Sequence, residues 1–336
     1  MKYTKLYKIK CLSEEYLSGE QFAEGLAPIW TNNGVGFINF DGIEVIPCLF
    51  DHLPQNHWKH MPHMRYGFSG GISPVVVDGR CGMIDSSGNI IVPPKWESLS
   101  PIKNGRIAAR MNEKWGFLDE KGEGVIPLIY DFVQMFSENH AFAVYNNQTV
   151  CINTDGEIIF NLSSVNSEYS AFPFSEGYAI VYDHHKAKYG AVDYEGKIVL
   201  PMIYQYLSSC KSGLFVACYD GKTEYIDRNG NSVIDATHDN NGPFFGDYAW
   251  FSDNGLFGCI DKFGNVVIPA RYDMPIIFRD GLAEVKKDGK WGYINDLGDI
   301  VIPIIYDSVN PLVNGKAIVM KDNDVLLINI LPQQVY

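Results

Sequence analysis

Four histidines lie close together in one stretch of the chain, and together they could bind a metal ion. Residues 52–66 contain His52, His57, His60 and His63, which are half of the eight histidines in the chain. Imidazole nitrogens are good ligands for zinc, copper or nickel. The spacing of three residues between the last three histidines would let them converge on a short helical turn. The stretch is therefore a candidate metal site.

The same stretch has a second interpretation, as a loop that contacts a partner. Pro62 interrupts a helical turn, and no cysteine lies nearby. Trp58 is an aromatic residue in a part of the chain that does not repeat, so it has no obvious position in a core. We therefore take Trp58, His57, His60 and His63 as candidate partner contacts, and the three histidines as weak candidates for a metal.

A second pair of histidines, His184 and His185, lies in the stretch 182–188. Insertions in repeat proteins often map to the binding face. This stretch is three or four repeats away from the first, so the two could act together only if the repeat array curves tightly.

The sequence carries no enzyme signature. There is no G-x-S-x-G, no glycine-lysine phosphate loop, no H-E-x-x-H and no dinucleotide fingerprint. We therefore expect a protein that is not an enzyme and that needs no cofactor.

Charge and cysteine content narrow the class of protein. The formal net charge is −13, which repels phosphate backbones, so we expect no nucleic-acid partner. The seven cysteines form no C-x-x-C pair. Residues 1–19 resemble neither a signal peptide nor a membrane span. We expect a cytoplasmic protein with free thiols and no membrane contact.

The stretch 281–307 recurs along the chain as an internal repeat. Six of the eight steps between equivalent positions are 34 residues, which chance does not produce. The longer steps of 46 and 40 residues locate insertions near 52–66 and 182–188. Aligned on the glycine of a Trp-Gly pair, the anchor positions are Gly36, Gly82, Gly116, Val150, Gly190, Glu224, Gly258, Gly292 and Leu326.

A turn signal follows the anchor in the first eight copies. An Asp or Asn stands three residues after the anchor, and a glycine stands three residues further on. An Asx side chain can accept hydrogen bonds from the backbone two residues on, and glycine tolerates positive φ, so the pair predicts a hairpin turn with a bulge. We interpret these Asx residues as structural and not catalytic: Asn39, Asp85, Asp119, Asn153, Asp193, Asp227, Asp261 and Asn295.

Each copy contains three predicted strands. In the last full copy they are 282–286, 290–295 and 299–306. The third is almost continuously apolar, which predicts burial on both faces. Because its proline cannot donate a ladder hydrogen bond, the strand must end, bulge or lie at an edge there. The prolines are Pro47, Pro93, Pro127, Pro201, Pro269 and Pro303.

The fourth and sixth copies lack both the anchor glycine and the proline. Val150 and Glu224 replace the glycine, while Asn161 and Asp235 replace the proline. Two explanations remain open. Either the two positions contact one another across a glycine-sized gap, or both copies have simply diverged.

The combination Trp-Gly-Phe/Tyr-Ile-Asp-x-x-Gly-x-x-Val-Ile-Pro-x-x-Tyr-Asp resembles the WG, or KWG, β repeat of bacterial proteins. The copies at 115–119 and 291–295 are the most similar, and the resemblance covers about residues 20–330. It implies an all-β repeat protein that mediates interactions, and it implies no catalytic residue. The repeat positions that carry it are Trp115, Gly116, Pro127, Trp291, Gly292 and Pro303.

The expected fold is all-β, with about eight to nine antiparallel repeats of about 34 residues. A propeller blade usually needs four strands and about 40 to 45 residues, so three strands per copy favour an open, superhelical array. A closed β-propeller is the alternative. We expect a capping strand region in residues 1–20 and the repeat array in residues 21–331.

The expected function is that of a non-enzymatic protein-protein interaction module, which binds a partner through the repeat surface and its insertion loops. The alternative is a protein that binds a metal or small ligand through the loop from His52 to His63, with an activity that could include hydrolysis.

Overall fold

The computed structural model describes residues 7–8, 22–31, 33–54, 67–166, 169–312, 315–322 and 324–329. Within these ranges the chain forms 33 β-strands in nine antiparallel sheets and one short helix. The prediction of an all-β repeat protein is confirmed.

The elements follow the repeat copies along the chain. In chain order they are β1 (Tyr7–Lys8), β2 (Leu26–Thr31), β3 (Gly34–Asn39), β4 (Glu44–Phe50), β5 (Ile72–Val77), β6 (Arg80–Asp85), β7 (Ile90–Trp96), β8 (Ser98–Leu99), β9 (Ile107–Met111), β10 (Lys114–Leu118), β11 (Gly124–Tyr130), β12 (Phe132–Val133), β13 (His140–Tyr145), β14 (Gln148–Asn153), β15 (Ile158–Asn161), α1 (Leu162–Val165), β16 (Tyr169–Ala171), β17 (Ala179–Asp183), β18 (Lys188–Val192), β19 (Ile198–Tyr204), β20 (Tyr206–Leu207), β21 (Phe215–Tyr219), β22 (Lys222–Ile226), β23 (Ser232–Asp235), β24 (Asn240–Phe245), β25 (Tyr248–Asp253), β26 (Leu256–Asp261), β27 (Val266–Tyr272), β28 (Leu282–Lys287), β29 (Lys290–Asn295), β30 (Ile300–Tyr306), β31 (Ser308–Val309), β32 (Lys316–Lys321) and β33 (Asp324–Asn329).

Each copy supplies one sheet, and six of the nine sheets in the described ranges have four strands. The additional strand precedes the first long one and has only two residues in β8, β12 and β20. A single residue, Asp131, separates β12 from the end of the preceding sheet at β11. The expectation of three strands per copy was wrong for these sheets, because a two-residue strand is too short to show a period of two in sequence.

The two ends of the chain meet in one sheet. β1 pairs with β33, with Tyr7 opposite Leu327, and so takes the edge position that the third strand takes in the other copies. Ile318 and Leu327 of this sheet also share a core cluster with Phe22 and Ala27 of the first copy. This link between the last and first copies matches the closed β-propeller, which was the alternative, and is not expected of an open array.

The described residues divide into two compact units. Their bounds are 1–128, 289–293 and 300–336 for the first unit and 129–288 and 294–299 for the second.

The core clusters of each unit lie between consecutive sheets. In the first unit, Phe37 and Ile84 belong to one cluster although they lie in neighbouring sheets. In the second unit, Ala191 and Phe215 likewise belong to one cluster and lie in neighbouring sheets. Burial of apolar surface stabilises the folded state by roughly 25 cal/mol per Å². A single sheet can bury its apolar face only by packing against the neighbouring sheet. Stacking of the copies therefore provides the core.

The third strand of each of the first eight copies lies at a sheet edge. In β11, Ile126 and Tyr130 are buried, whereas Val125 and Ile129 are exposed. The prediction that this strand is buried on both faces was therefore wrong, because its continuous apolar run covers one packed face and one open face. An edge also accommodates a residue without an N–H, which accounts for the proline.

The anchor glycine lies directly against the third strand at its proline. A Cβ built on Gly116 would lie 2.5 Å from the carbonyl oxygen of Ile126 and 2.6 Å from that of Pro127. A Cβ on Gly292 would lie 2.8 Å from the carbonyl oxygen of Pro303. Since real Cβ atoms do not approach so closely, only glycine fits here, and the contact proposed from the joint loss of the two residues is confirmed.

The copies without this glycine show what the contact does. Val150 pairs regularly with Asn161, and Glu224 with Asp235. β15 and β23 end at these residues after four residues, whereas the third strands of the other copies have seven, as in β11. The glycine thus permits a bulge that lets the third strand continue past its proline.

The Asx residues form the predicted turns in all eight copies, with Oδ1 accepting from the N–H groups two and four residues on. At Asp261 these distances are 2.9 and 2.8 Å, and the turn glycine, Gly264, has φ of +82°. The turn also touches the preceding copy, because a Cβ on Gly122 would lie 2.8 Å from the side chain of Val92. The structural interpretation of these residues is confirmed.

We predict that Gly116→Ala destabilises the protein by about 1 to 3 kcal/mol, since the added methyl group overpacks the backbone of the third strand. Gly124→Ala is the matched control, because a Cβ there meets nothing within 4 Å and the backbone is not left-handed. Urea unfolding followed by circular dichroism measures the difference. Equal midpoints for the two variants would contradict the bulge account.

A second prediction concerns pH. The pKa values of Asp85, Asp227 and Asp261 are lowered, chiefly because the side-chain amide of an Asn four residues on donates to each carboxylate. Their folded pKa values therefore lie below the unfolded value of about 3.9. The stability they contribute is present above that pH and is lost as pH falls through the folded pKa values.

Three natural copies carry Asn in this turn column, so the variant D85N/D227N/D261N should keep its turns while losing three titrating groups. We expect its urea midpoint to fall less steeply than that of the wild type between pH 5 and pH 2.5. Parallel curves would show that these carboxylates do not contribute to acid sensitivity.

Candidate interaction surface

The first insertion lies largely outside the described residues. Trp58, His57, His60 and His63 all fall there, so their roles as partner contacts or metal ligands stay predictions. His52 is described, and its Nδ1 lies 2.8 Å from the carbonyl oxygen of the next residue. In the part of the chain that the structure describes, no group of three or more His, Cys, Asp or Glu side chains is placed to hold a metal ion.

The aromatic residues at repeat positions take part in packing. Trp115 is buried and Trp291 is half-buried. Tyr130 and Tyr306, at the ends of their third strands, are also buried. Trp115, Tyr130 and Tyr306 are therefore not available to a partner, unlike the aromatic residues around the second insertion.

The second insertion lies in the hairpin between β17 and β18, whose turn has four residues where the other copies have two. The buried carboxylate of Asp183 holds the turn, since its Oδ1 accepts from the N–H groups of His185 and Lys186 at 3.0 Å each. The Nε2 of His184 lies 3.1 Å from Oγ of Ser170. Further extra length of this copy lies around α1, after β15.

A chain of ring contacts leads from this hairpin to the next sheet. The ring of Tyr182 lies 4.9 Å from His184 and 4.7 Å from Tyr189, measured between centroids. Tyr189 lies 6.4 Å from Tyr206 in β20. The insertion is therefore continuous with an aromatic surface that neighbouring sheets share.

This surface borders an open cavity of about 530 Å³ between the sheets of β17 and β20. Ile180 and Leu207 form a buried floor, whereas Phe172 and Tyr206 at the rim are 49% and 48% exposed. Its volume is in the range of ordinary ligand pockets. We call it the aromatic groove, defined by Phe172, Ile180, Tyr189, Tyr206, Leu207 and Lys211.

The chemistry of the aromatic groove suits recognition of another molecule. Half-exposed aromatic rings above an apolar floor provide the large contact area on which interface hot spots depend. Lys211 adds one cationic group at the lining. The sequence pointed to the neighbouring insertion but missed Phe172 and Tyr206, because their exposure depends on how two sheets meet.

The repeat copies match a known protein family. The WG containing repeat matches residues 82–115, 115–148, 189–222, 225–257, 257–291 and 291–323. The chain belongs to the WG-repeat family. Repeat folds of this kind generally serve as scaffolds for protein interactions.

The chain is similar to solved structures of other proteins at low sequence identity. A structure of the eukaryotic initiation factor has a TM-score of 0.58 and 10% identity, covering 88% of this chain and 89% of that chain. BamB from Moraxella catarrhalis has a TM-score of 0.43 and 10% identity, covering 97% and 100%. No protein with a curated function matches the chain by sequence.

A polar pair replaces an aromatic pair in one copy of the WG repeat. Tyr204 and Tyr219 place their rings 6.2 Å apart. One repeat later, the equivalent residues are His238 and Asp253, whose Nδ1 and Oδ2 lie 2.8 Å apart. The imidazole also stacks on Phe251 at 3.7 Å. Because the pair occupies a packing position of the repeat, we interpret it as structural.

The described cysteines of the repeat strands are packing residues. Burial raises the pKa of Cys151 and of Cys259 to about 12. Burial also raises the pKa of Cys210 to about 12, with a further rise from Glu176. A thiol with so high a pKa is not a thiolate near neutral pH and is a poor nucleophile.

No helix in the described ranges is long and apolar enough to span a membrane.

We predict that iodoacetamide at pH 8 labels Cys218, which is half-buried, well before Cys151 and Cys259. Burial keeps the latter two thiols protonated and shielded. Peptide mass spectrometry after timed labelling measures the order, and the same reaction in urea is the control in which all three should react. Labelling of Cys151 at the rate of Cys218 in the folded protein would contradict the packing role.

Proposed function

We propose that this WG-repeat protein is a non-enzymatic interaction module that binds another protein through the aromatic groove. The observation that carries the proposal is the exposure of Phe172 and Tyr206 beside a cavity whose floor is apolar. Exposed aromatic side chains next to a concave apolar surface are the features that distinguish the energetic centre of a protein interface.

The composition of the groove favours a peptide segment over a small polar ligand. Its lining is mainly aromatic and aliphatic, with hydroxyl groups from Ser208 and Ser209. The hydroxyl of Ser208 already donates to the carbonyl oxygen of Ser209 at 3.0 Å. An apolar side chain of a partner would fill the cavity, while Lys211 would meet a carbonyl or carboxylate of the partner.

The direct test is the double variant F172A/Y206A, immobilised and exposed to a lysate of the source organism. We expect the wild type to retain a specific partner and the double variant to lose it, since truncation removes both rim rings. Phe132→Ala is the matched control, because Phe132 holds the position equivalent to Tyr206 in another sheet and is similarly exposed.

The measurement is the set of proteins retained at physiological salt, identified by mass spectrometry, with thermal unfolding midpoints as a check on folding. Retention of the same partner by the double variant and by Phe132→Ala would overturn the groove as the binding site. Failure of the folded wild type to retain any specific protein would count against the interaction module itself.

A further inference from the structure

A second candidate binding surface lies at the solvent-exposed Asx turns of two consecutive copies. The third residue of the turn is polar in the first six copies. In the next two copies it is Phe263 and Leu297, which are 86% and 77% exposed. The six polar residues in this column are Asp41, Ser87, Lys121, Asp155, Glu195 and Asn229.

The turn fold does not require these apolar side chains. The backbone N–H of Phe263 donates to Asp261 at 2.9 Å, and that of Leu297 donates to Asn295 at 3.1 Å. The same hydrogen bonds form in the six copies with polar residues in this column, for example at Asn229. Large apolar groups that folding does not use and that water surrounds point to a contact with another molecule.

The two turns lie on neighbouring parts of one surface in the second unit. The guanidinium of Arg271, near the end of the strand β27 that follows the first turn, donates to the carbonyl oxygen of Gly298 in the second turn at 3.1 Å. Val266, which begins the strand after the first turn, is also exposed. Phe263 and Leu297 are therefore the projecting parts of one apolar area, which we call the tip patch.

Four carboxylates lie in the two turns or are linked to them by an ion pair. They are Asp247, Asp261, Asp296 and Asp299, and the cations near them are Lys262 and Arg271, which leaves a net charge of −2. Lys262 already pairs with Asp247 at 2.8 Å.

The hydroxyl group of Tyr248 is influenced by acids of both turns. Burial raises the pKa of Tyr248, and the charges of Asp296, Asp247 and Asp261 raise it further. Carboxylates of both turns thus act on the same group. The chain as a whole carries −13 and adds to this negative field.

We propose that the tip patch binds a basic segment of a partner protein that carries leucine-like or aromatic side chains between its lysines or arginines. The apolar side chains of the segment would cover Phe263 and Leu297, and its cations would face the four carboxylates. The site is separate from the aromatic groove and does not rest on the function proposed for that groove.

The test measures binding of a labelled synthetic peptide of about twelve alternating lysine and leucine residues by fluorescence anisotropy. The double variant F263N/L297S uses side chains that the same turn column holds in other copies, so its turns should fold. We expect its affinity to be at least about tenfold lower than that of the wild type. Leu49→Ser is the matched control, because Leu49 is 74% exposed in the first unit and should not matter.

Two further peptides test the chemistry of the partner. A glutamate-leucine peptide tests the charge preference, and a lysine-serine peptide tests the need for apolar side chains; we expect both to bind much more weakly than the lysine-leucine peptide. Asp296→Asn should weaken lysine-leucine binding and reduce its dependence on salt.

Several results would overturn the proposal. They are no binding of the lysine-leucine peptide to the wild type, equal binding to F263N/L297S, or equal binding of the glutamate-leucine peptide. Sedimentation velocity tests whether a second copy of this chain binds the tip patch instead. A wild-type dimer that dissociates in F263N/L297S would assign the tip patch to a second copy of this chain instead of a basic partner.

Discussion

The close approach of the anchor glycine to the third strand is the contact on which the regular copies depend. At Gly116 there is no room for even a methyl group against the carbonyl oxygens of Ile126 and Pro127. The resulting bulge lets the third strand run on to a buried aromatic residue such as Tyr130. From there the chain passes through one residue into the next sheet. The glycine, the proline and the terminal tyrosine therefore act together to connect consecutive sheets.

In the two copies that lack the anchor glycine and the proline, the structure departs from the regular repeat. β15 and β23 stop early. α1 is inserted between β15 and the short first strand β16, whereas the six-residue strand β24 takes the place of a short first strand after β23. The aromatic groove lies next to the first of these departures. The tip patch differs in kind, because its turns keep the regular backbone and only the side chains change. The two proposed binding surfaces thus differ in origin: one lies beside broken repeat geometry, and the other keeps regular geometry with unexpected side chains.

The sequence predicted the repeat and the Asx turns, because each depends on residues close in sequence or repeated many times. It offered the contact between glycine and proline as one of two explanations, and the structure decided between them. It did not predict the two-residue strands, which carry too little pattern. The continuous apolar run of the third strand suggested burial on both faces, yet Val125 and Ile129 are exposed at the sheet edge. Whether a strand lies at a sheet edge depends on the order of strands in the sheet, and the sequence of one repeat does not reveal that order. For the same reason the exposure of Tyr206 was not foreseen, whereas the apolar side chains of Phe263 and Leu297 were visible in the turn column and could have been singled out there.

The central claim is that the aromatic groove is where a partner binds. Hydrogen–deuterium exchange of the full chain, with and without the partner retained in the capture experiment, tests it most directly. The account predicts slower exchange of the backbone amides around β16 and β20 in the complex, with little change at the equivalent β12. Protection that leaves β16 and β20 unchanged and appears instead in another sheet would contradict it.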